Sequence, residues 1–260
     1  MATYKKRGYK PKKEKITQEV EEKFDESQST TAEVFNNLDE AANKSEQWIE
    51  KNSKPLFYGL VTIAVVILGF LAYNKYIAEP TEIEASNELA YPRNFFVQAG
   101  KANGTAADSL YNLGLLGGDG KYGFLDIAQS FSGTNAGNLA NYYAGISYLK
   151  MKKYSDAIEY LSDFESDDEI LGPTALGAIG DAFSDIDQPE DALEFYEKAA
   201  NKKDNEFTTP LFLFKAGQTA LELKKYSKAE SFFTVIKDKY SNTDQASDIE
   251  KYINLAKYAQ

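Results

Sequence analysis

The chain has 260 residues, 43% hydrophobic and 13% aromatic, with a formal charge of −11. It contains no His and no Cys, which excludes disulfides, thiol nucleophiles, Cys/His zinc sites and imidazole acid–base chemistry, while carboxylate chemistry survives. Eleven basic and eleven acidic residues cancel within residues 1–55, so the whole net charge falls on the remainder, a poor match for nucleic acid.

Lys5, Lys6, Arg7, Lys10, Lys12, Lys13 and Lys15 crowd the first fifteen positions with little apolar between them. Residues 1–29 therefore read as a solvated basic tail, with contact to anionic lipid or ribosomal RNA as the alternative. The positive-inside rule keeps this tail cytoplasmic. Thr30-Thr31-Ala32-Glu33 then fits a capping box, and Val34, Leu38, Ala41, Ser45 and Trp48 recur at alternating spacings of four and three. This predicts an amphipathic helix over residues 30–54, widened by Phe35, Ala42 and Ile49, that lies on the inner leaflet or docks on a partner. Lys54-Pro55 is expected to interrupt it.

Leu56 to Tyr73 are eighteen residues without a charge, eleven of them Leu, Ile, Val or Phe. At about 1.5 Å per helical residue they reach roughly 27 Å, close to the roughly 30 Å of bilayer hydrocarbon, and residues 55–77 read as a transmembrane helix. A core helix of a soluble domain would carry some polar face, and a cleaved signal peptide would start nearer the N-terminus. Gly59, Thr62, Val66 and Gly69 share one face of the span, where small residues let another membrane helix approach.

Residues 78–137 read as membrane-proximal helices. Thr81 to Val97 continues helically, with Pro92 expected to bend or break it, and glycine-rich joints at 100–104 and 114–123 set off short helices over Thr105–Leu116 and Phe124–Phe131, a degenerate first repeat. Gly117-Gly118-Asp119-Gly120 lacks the Gly-Lys-Ser/Thr ending of a phosphate loop and reads as an interhelical turn. Asp163, Glu165, Asp167, Asp168 and Glu169 lack the spacing of an EF-hand and read as a solvated loop. No carboxylate pair is distinguished from the rest, so no catalytic residue is nominated and no enzyme is expected.

Over residues 138–242 the chain repeats itself. Gly145, Gly180 and Gly217 are each followed twelve residues later by Ala157, Ala192 and Ala229, and four further on by Leu161, Tyr196 and Phe233. The glycines are 35 and 37 residues apart, near the 34-residue period of a helix-turn-helix repeat. Tyr154 and Tyr226 open the second helices of units one and three, where unit two has Pro189. Pro173 and Pro210 sit at first-turn positions, where a missing N–H is harmless. Residues 243–260 should cap the array, with Asp244 to Ala259 as one helix.

This register resembles the tetratricopeptide repeat, most closely in NYYAGISYLKMKKYSDAIEYL. The resemblance implies an all-α solenoid whose first helices line a concave groove, here carrying Leu139, Tyr142, Ile146, Asp181, Leu211, Phe214 and Gln218. Such a groove would be apolar and aromatic, and it lacks the Lys and Asn pattern that clamps a C-terminal carboxylate. With one N-terminal span, the arrangement resembles the YfgM-type ancillary subunits of the SecYEG translocon, and more fully the tetratricopeptide proteins of Bacteroidota inner membranes. It implies a single-pass bacterial inner-membrane protein, N-terminus cytoplasmic and repeats periplasmic, without cofactor or metal. Its partners would be translocon subunits, a periplasmic chaperone and nascent exported chains. A scaffold for cell-envelope complexes and a mitochondrial outer-membrane import receptor are the alternatives.

Overall fold

The computed structural model describes residues 30–259, with side chains from Glu33 onward, so the basic tail lies outside the described residues, as do the side chains of Thr30, Thr31 and Ala32 in the predicted capping box. The described chain is helical and falls into two units that meet between Leu68 and Gly69.

Helix α1, Thr30–Tyr73, makes up the described part of the first unit and runs on into the second. The expected interruption at Pro55 is absent: α1 runs through it. Proline there removes one N–H, so a single carbonyl, that of Lys51, loses its partner while the turns on either side keep theirs. Asn52 Nδ2 donates to the Trp48 carbonyl at 2.7 Å and Ser53 Oγ to that of Glu50 at 3.0 Å, adding side-chain bonds beside the gap. One helix among the described residues is long and apolar enough to cross a membrane, and none of its most apolar eighteen-residue stretch is buried.

A π-helical segment, Asn74–Ala78, leads into α2, Glu79–Ala99. Pro92 again sits inside an unbroken helix, contrary to expectation. It is fully buried, and Ala85, Leu89 and Phe96 on the same helix join the first core cluster, so packing offsets the missing hydrogen bond. Helices α3 (Thr105–Leu116) and α4 (Phe124–Ser130) follow within a residue of the predicted bounds. The joint between them is a tight turn: Gly118 and Lys121 exchange backbone hydrogen bonds at 3.2 and 2.9 Å. Asp119 and Gly120 both have positive φ, 54° and 72°, the geometry of a type I′ turn. A Cβ at Gly117 would lie 2.2 Å from the Lys121 carbonyl oxygen, so only glycine lets the two arms approach.

The three predicted units are α5/α6 (Asn135–Lys150, Tyr154–Ser162), α7/α8 (Leu171–Asp185, Pro189–Lys202) and α9/α10 (Thr208–Glu222, Tyr226–Lys239). The glycine register has a direct cause. A Cβ on Gly145 would meet Leu161 at 2.5 Å, on Gly180 the Tyr196 ring at 2.7 Å, and on Gly217 the Phe233 ring at 2.4 Å. Each glycine is thus the socket for the side chain sixteen residues on, and Ala157, Ala192 and Ala229, all 0% exposed, let the paired axes close. Burying Phe233 and Ile236 in this way contributes roughly 1.5–3 kcal/mol each.

The turns repeat as faithfully. Seven residues after each glycine stand Lys152, Asp187 and Lys224, with φ of 60°, 59° and 59°. The next residue's N–H reaches back to the carbonyl of Tyr148, Phe183 or Ala220 at 2.9, 2.9 and 2.8 Å, which closes a Schellman motif. None of the three is glycine, and all are exposed, so the left-handed backbone is adopted against a Cβ penalty. Lys152→Gly, Asp187→Gly and Lys224→Gly should each raise stability by about 0.5–1 kcal/mol, read as a higher urea midpoint. A uniform decrease in midpoint would show that the side chains, not the backbone, hold these turns.

Long-range polar contacts fix the ends of the helices. Glu82 on α2 accepts from the N–H groups of Asn135 and Ala136 at 2.7 and 3.1 Å, placing a carboxylate on the positive end of α5. Asp168 accepts from Ile170 and Leu171 at 2.8 Å each; the Leu171 and Ile170 N–H groups hold its carboxyl below the usual range. The C-terminal cap differs from expectation. Asp244–Ala246 is a short 3-10 turn, Asp248 is left-handed (φ 57°), and only Ile249–Tyr258 forms the helix, α11. The break lets Ile249, Tyr252, Ile253 and Ala256 join the core formed by α8, α9 and α10.

Candidate functional site

Three first helices, α5, α7 and α9, carry the predicted groove residues. On α5, Leu139 packs against the core shared with α2 and α4, whereas Tyr142 and Ile146 pack on the cluster built around Leu161 and Ile179. Tyr142 lies with its ring 5.1 Å from Phe164 and 5.8 Å from Tyr143, half-buried between them. Burial, then the neighbouring Tyr143, raises its phenol pKa. At the other end Leu211 and Phe214 flank the C-terminal core; the Phe214 ring is 4.9 Å from Tyr252 of α11 and 5.8 Å from Phe233. Phe214 is therefore covered by the terminal helix, not by the membrane-proximal ones. Gln218, one turn further along α9, is exposed.

The centre of the row is polar. Tyr196 Oη donates to Asp181 Oδ1 at 2.7 Å, and Lys215 Nζ donates to the same oxygen at 2.5 Å. Lys215 Nζ also stands 5.5 Å from the centre of the Tyr196 ring. Burial and the adjacent Asp181 carboxylate push the Tyr196 phenol far above its ordinary range, so it stays a donor. With side chains 32% and 36% exposed, the Lys215–Asp181 pair contributes at most about 1 kcal/mol, but it ties α7 to α9. Asp181 is expected in the row from its repeat position; Lys215 is not, and its signal is that it is the lone base on α9, 34 residues on. The row is thus apolar on α5, charged between α7 and α9, and aromatic where α11 closes it.

A second concavity was not anticipated. A cleft of about 1000 Å³ lies between α4, the start of α5 and the end of α6. Asp126, Glu159, Asp163 and Glu165 line it with Asn138 and Asn141, and no Lys or Arg does. Two members of the predicted solvated acidic run therefore face a cleft. Asn138 fixes that loop by donating to the Glu165 carbonyl at 2.7 Å and accepting its N–H at 3.0 Å. The cleft's potential favours cationic groups over anionic ones. Among the described residues no cluster of three or more acidic side chains is disposed to hold a metal ion.

A family model for the tetratricopeptide repeat matches residues 139–167 and 212–243. No curated protein and no solved structure matches the chain. The two matched stretches fall on the α5/α6 and α9/α10 units, and α7/α8 between them repeats their glycine socket and left-handed turn. The fold is an all-α tetratricopeptide solenoid preceded by one long apolar helix, and such repeats mediate protein–protein interaction.

Proposed function

We propose that this chain is a non-catalytic, membrane-anchored receptor for polypeptide, an accessory subunit of the Sec translocon that receives exported chains on the periplasmic side of a bacterial inner membrane. The observation that carries the reading is the partly buried row of Leu139, Tyr142 and Ile146 on α5, continued past Asp181 and Lys215 to exposed Gln218, in a chain whose apolar segment is wholly unburied. Apolar and aromatic side chains alternating with one charged rung suit an extended peptide better than a compact ligand. The basic tail ahead of the apolar segment supports the orientation.

The absence of cysteine makes the test direct. Gln218→Cys, labelled from outside intact spheroplasts with a membrane-impermeant photo-crosslinking maleimide, is expected to take the label and to crosslink nascent exported chains at least tenfold above Glu194→Cys on the second helix α8. Failure to label until the membrane is opened would reverse the topology. Labelling followed by equal crosslinking at both positions would remove the row as the binding face.

A further inference from the structure

The sequence shows an amphipathic stripe from Val34 to Trp48 and a small-residue face from Gly59 to Gly69, and α1 makes them one surface. Because the helix is unbroken through Pro55, Asn52 and Pro55 complete the same alternation of three and four, and the stripe runs 35 positions, five heptads, without a slip. A stable coiled coil needs about three to four heptads. On a straight helix a 3.5-residue repeat drifts by about 20° per heptad, roughly 100° here, so only a partner helix that supercoils with it meets the whole seam. A flat membrane surface does not.

Among the described residues, the large apolar side chains of this seam stand uncovered. Val34, Leu38 and Trp48 are 54%, 58% and 58% exposed, and Phe35 and Ile49 beside them 62% and 54%. Gly59 and Gly69 have no atom within 4 Å of where a Cβ would stand, unlike Gly145, Gly180 and Gly217, each of which houses a side chain. Glycine within a helix is less favourable than alanine, so these two point to contact from outside. At the junction of the two halves Trp48, Asn52, Pro55 and Gly59 border an apolar hollow of about 400 Å³, a hole ready for a knob.

We infer that the occupant is a second copy of this chain, paired parallel and in register. Two copies with the same orientation in one bilayer present the same water-to-lipid boundary at the same residue, so the aqueous and lipid halves of the seam match in length. In a parallel pair the flanking Lys44 and Lys51 face Ile49 and Leu56 of the other copy, where their aliphatic stems cover apolar surface. An antiparallel pair would set lysine against lysine. Lys44 is also neutralised within its own helix by Glu40 at 2.7 Å. Asn52 falls on the seam itself: one of its amide hydrogens goes to the Trp48 carbonyl, and the other, with Oδ1, pairs best with its own symmetry mate and fixes the register. The apolar side chains of the aqueous half offer on the order of 500 Å² per chain, and with the span a pair reaches the roughly 1,200–2,000 Å² of a stable interface. This pairing stands independently of what the repeats bind.

The test uses the full chain in isolated membranes at native abundance, with single cysteines introduced. Oxidation of Leu38→Cys and of Val66→Cys, on the seam, should give a species of twice 29.0 kDa at least tenfold more abundantly than Asn43→Cys or Ala64→Cys on the opposite face. Equal yields on both faces, no crosslink at any position, or seam cysteines linked only to a different protein would each overturn the inference.

Discussion

Gly217→Val should loosen or unfold the third repeat, with a loss of about 3 kcal/mol or more against a total domain stability of roughly 5–15 kcal/mol. The first added carbon would already lie 2.4 Å from Cε1 and 2.6 Å from Cζ of Phe233. That ring has nowhere to go: it is 0% exposed, with Phe214 at 5.8 Å and Tyr252 at 5.4 Å. Valine adds two methyls and a β-branch to the clash, which outweighs the gain from removing a helical glycine. The cause is separable from a general effect of valine by a double-mutant cycle. Phe233→Ala alone should cost about 3–5 kcal/mol through the cavity it leaves. Joined with Gly217→Val, which partly refills that cavity, the pair should fall short of the sum by about 1–3 kcal/mol. Urea unfolding of the detergent-solubilised chain, followed by circular dichroism, measures all three variants. Strict additivity would mean that the glycine is not there to admit the ring.

The glycine sockets were legible in the sequence because both halves of each contact lie within one repeat: the spacing from Gly145 to Leu161 is the same as from Gly180 to Tyr196 and from Gly217 to Phe233. Elements with strong local punctuation were legible for the same reason, α3 and α6 among them, each starting at its predicted residue. What failed was decided at a distance or by cooperativity along a helix. Pro92 remains helical because α2 is packed into the core, which no local rule about proline contains. Pro55 remains helical because a long helix loses only one hydrogen bond there. The capping of α5 by Glu82, 53 and 54 residues away, carries no sequence signature, nor does the acidic cleft, whose lining comes from three helices and two loops. In the candidate row, residue types placed Tyr142 and Phe214 on first helices, but which of them a neighbour covers depends on where α11 docks. That in turn depends on the left-handed residue Asp248.

That covering changes how the row should be probed. Phe214 meets Phe233 and Tyr252, so Phe214→Asp would bury a carboxylate without a partner and damage the fold, and loss of binding in that variant would say nothing about the groove. Gln218, exposed on the same helix, reports on the row without that ambiguity.

Val65→Arg combined with Leu68→Arg should abolish integration of the chain into membranes. Both residues lie near the middle of the uncharged run from Leu56 to Tyr73 and are 62% and 64% exposed, so neither substitution places a charge in the packed core of the described residues. Insertion of this run is favoured by the several Leu, Ile, Val and Phe residues at about −0.3 to −0.6 kcal/mol each. Each arginine at the centre adds about 2.5–3.5 kcal/mol against it and also removes one favourable residue. Two arginines one turn apart therefore outweigh the whole gain, and neither is close enough to a membrane boundary for its head group to reach water easily. Pellets extracted with alkaline carbonate measure the outcome: the unaltered chain should stay with the lipid and the double variant should pass into the supernatant. The repeats supply a control, since they have a core of their own and their helical circular dichroism should persist in the released chain. Retention of the double variant in carbonate-washed membranes would mean that residues 55–77 do not hold the protein in the bilayer, and the anchored reading would fall with it.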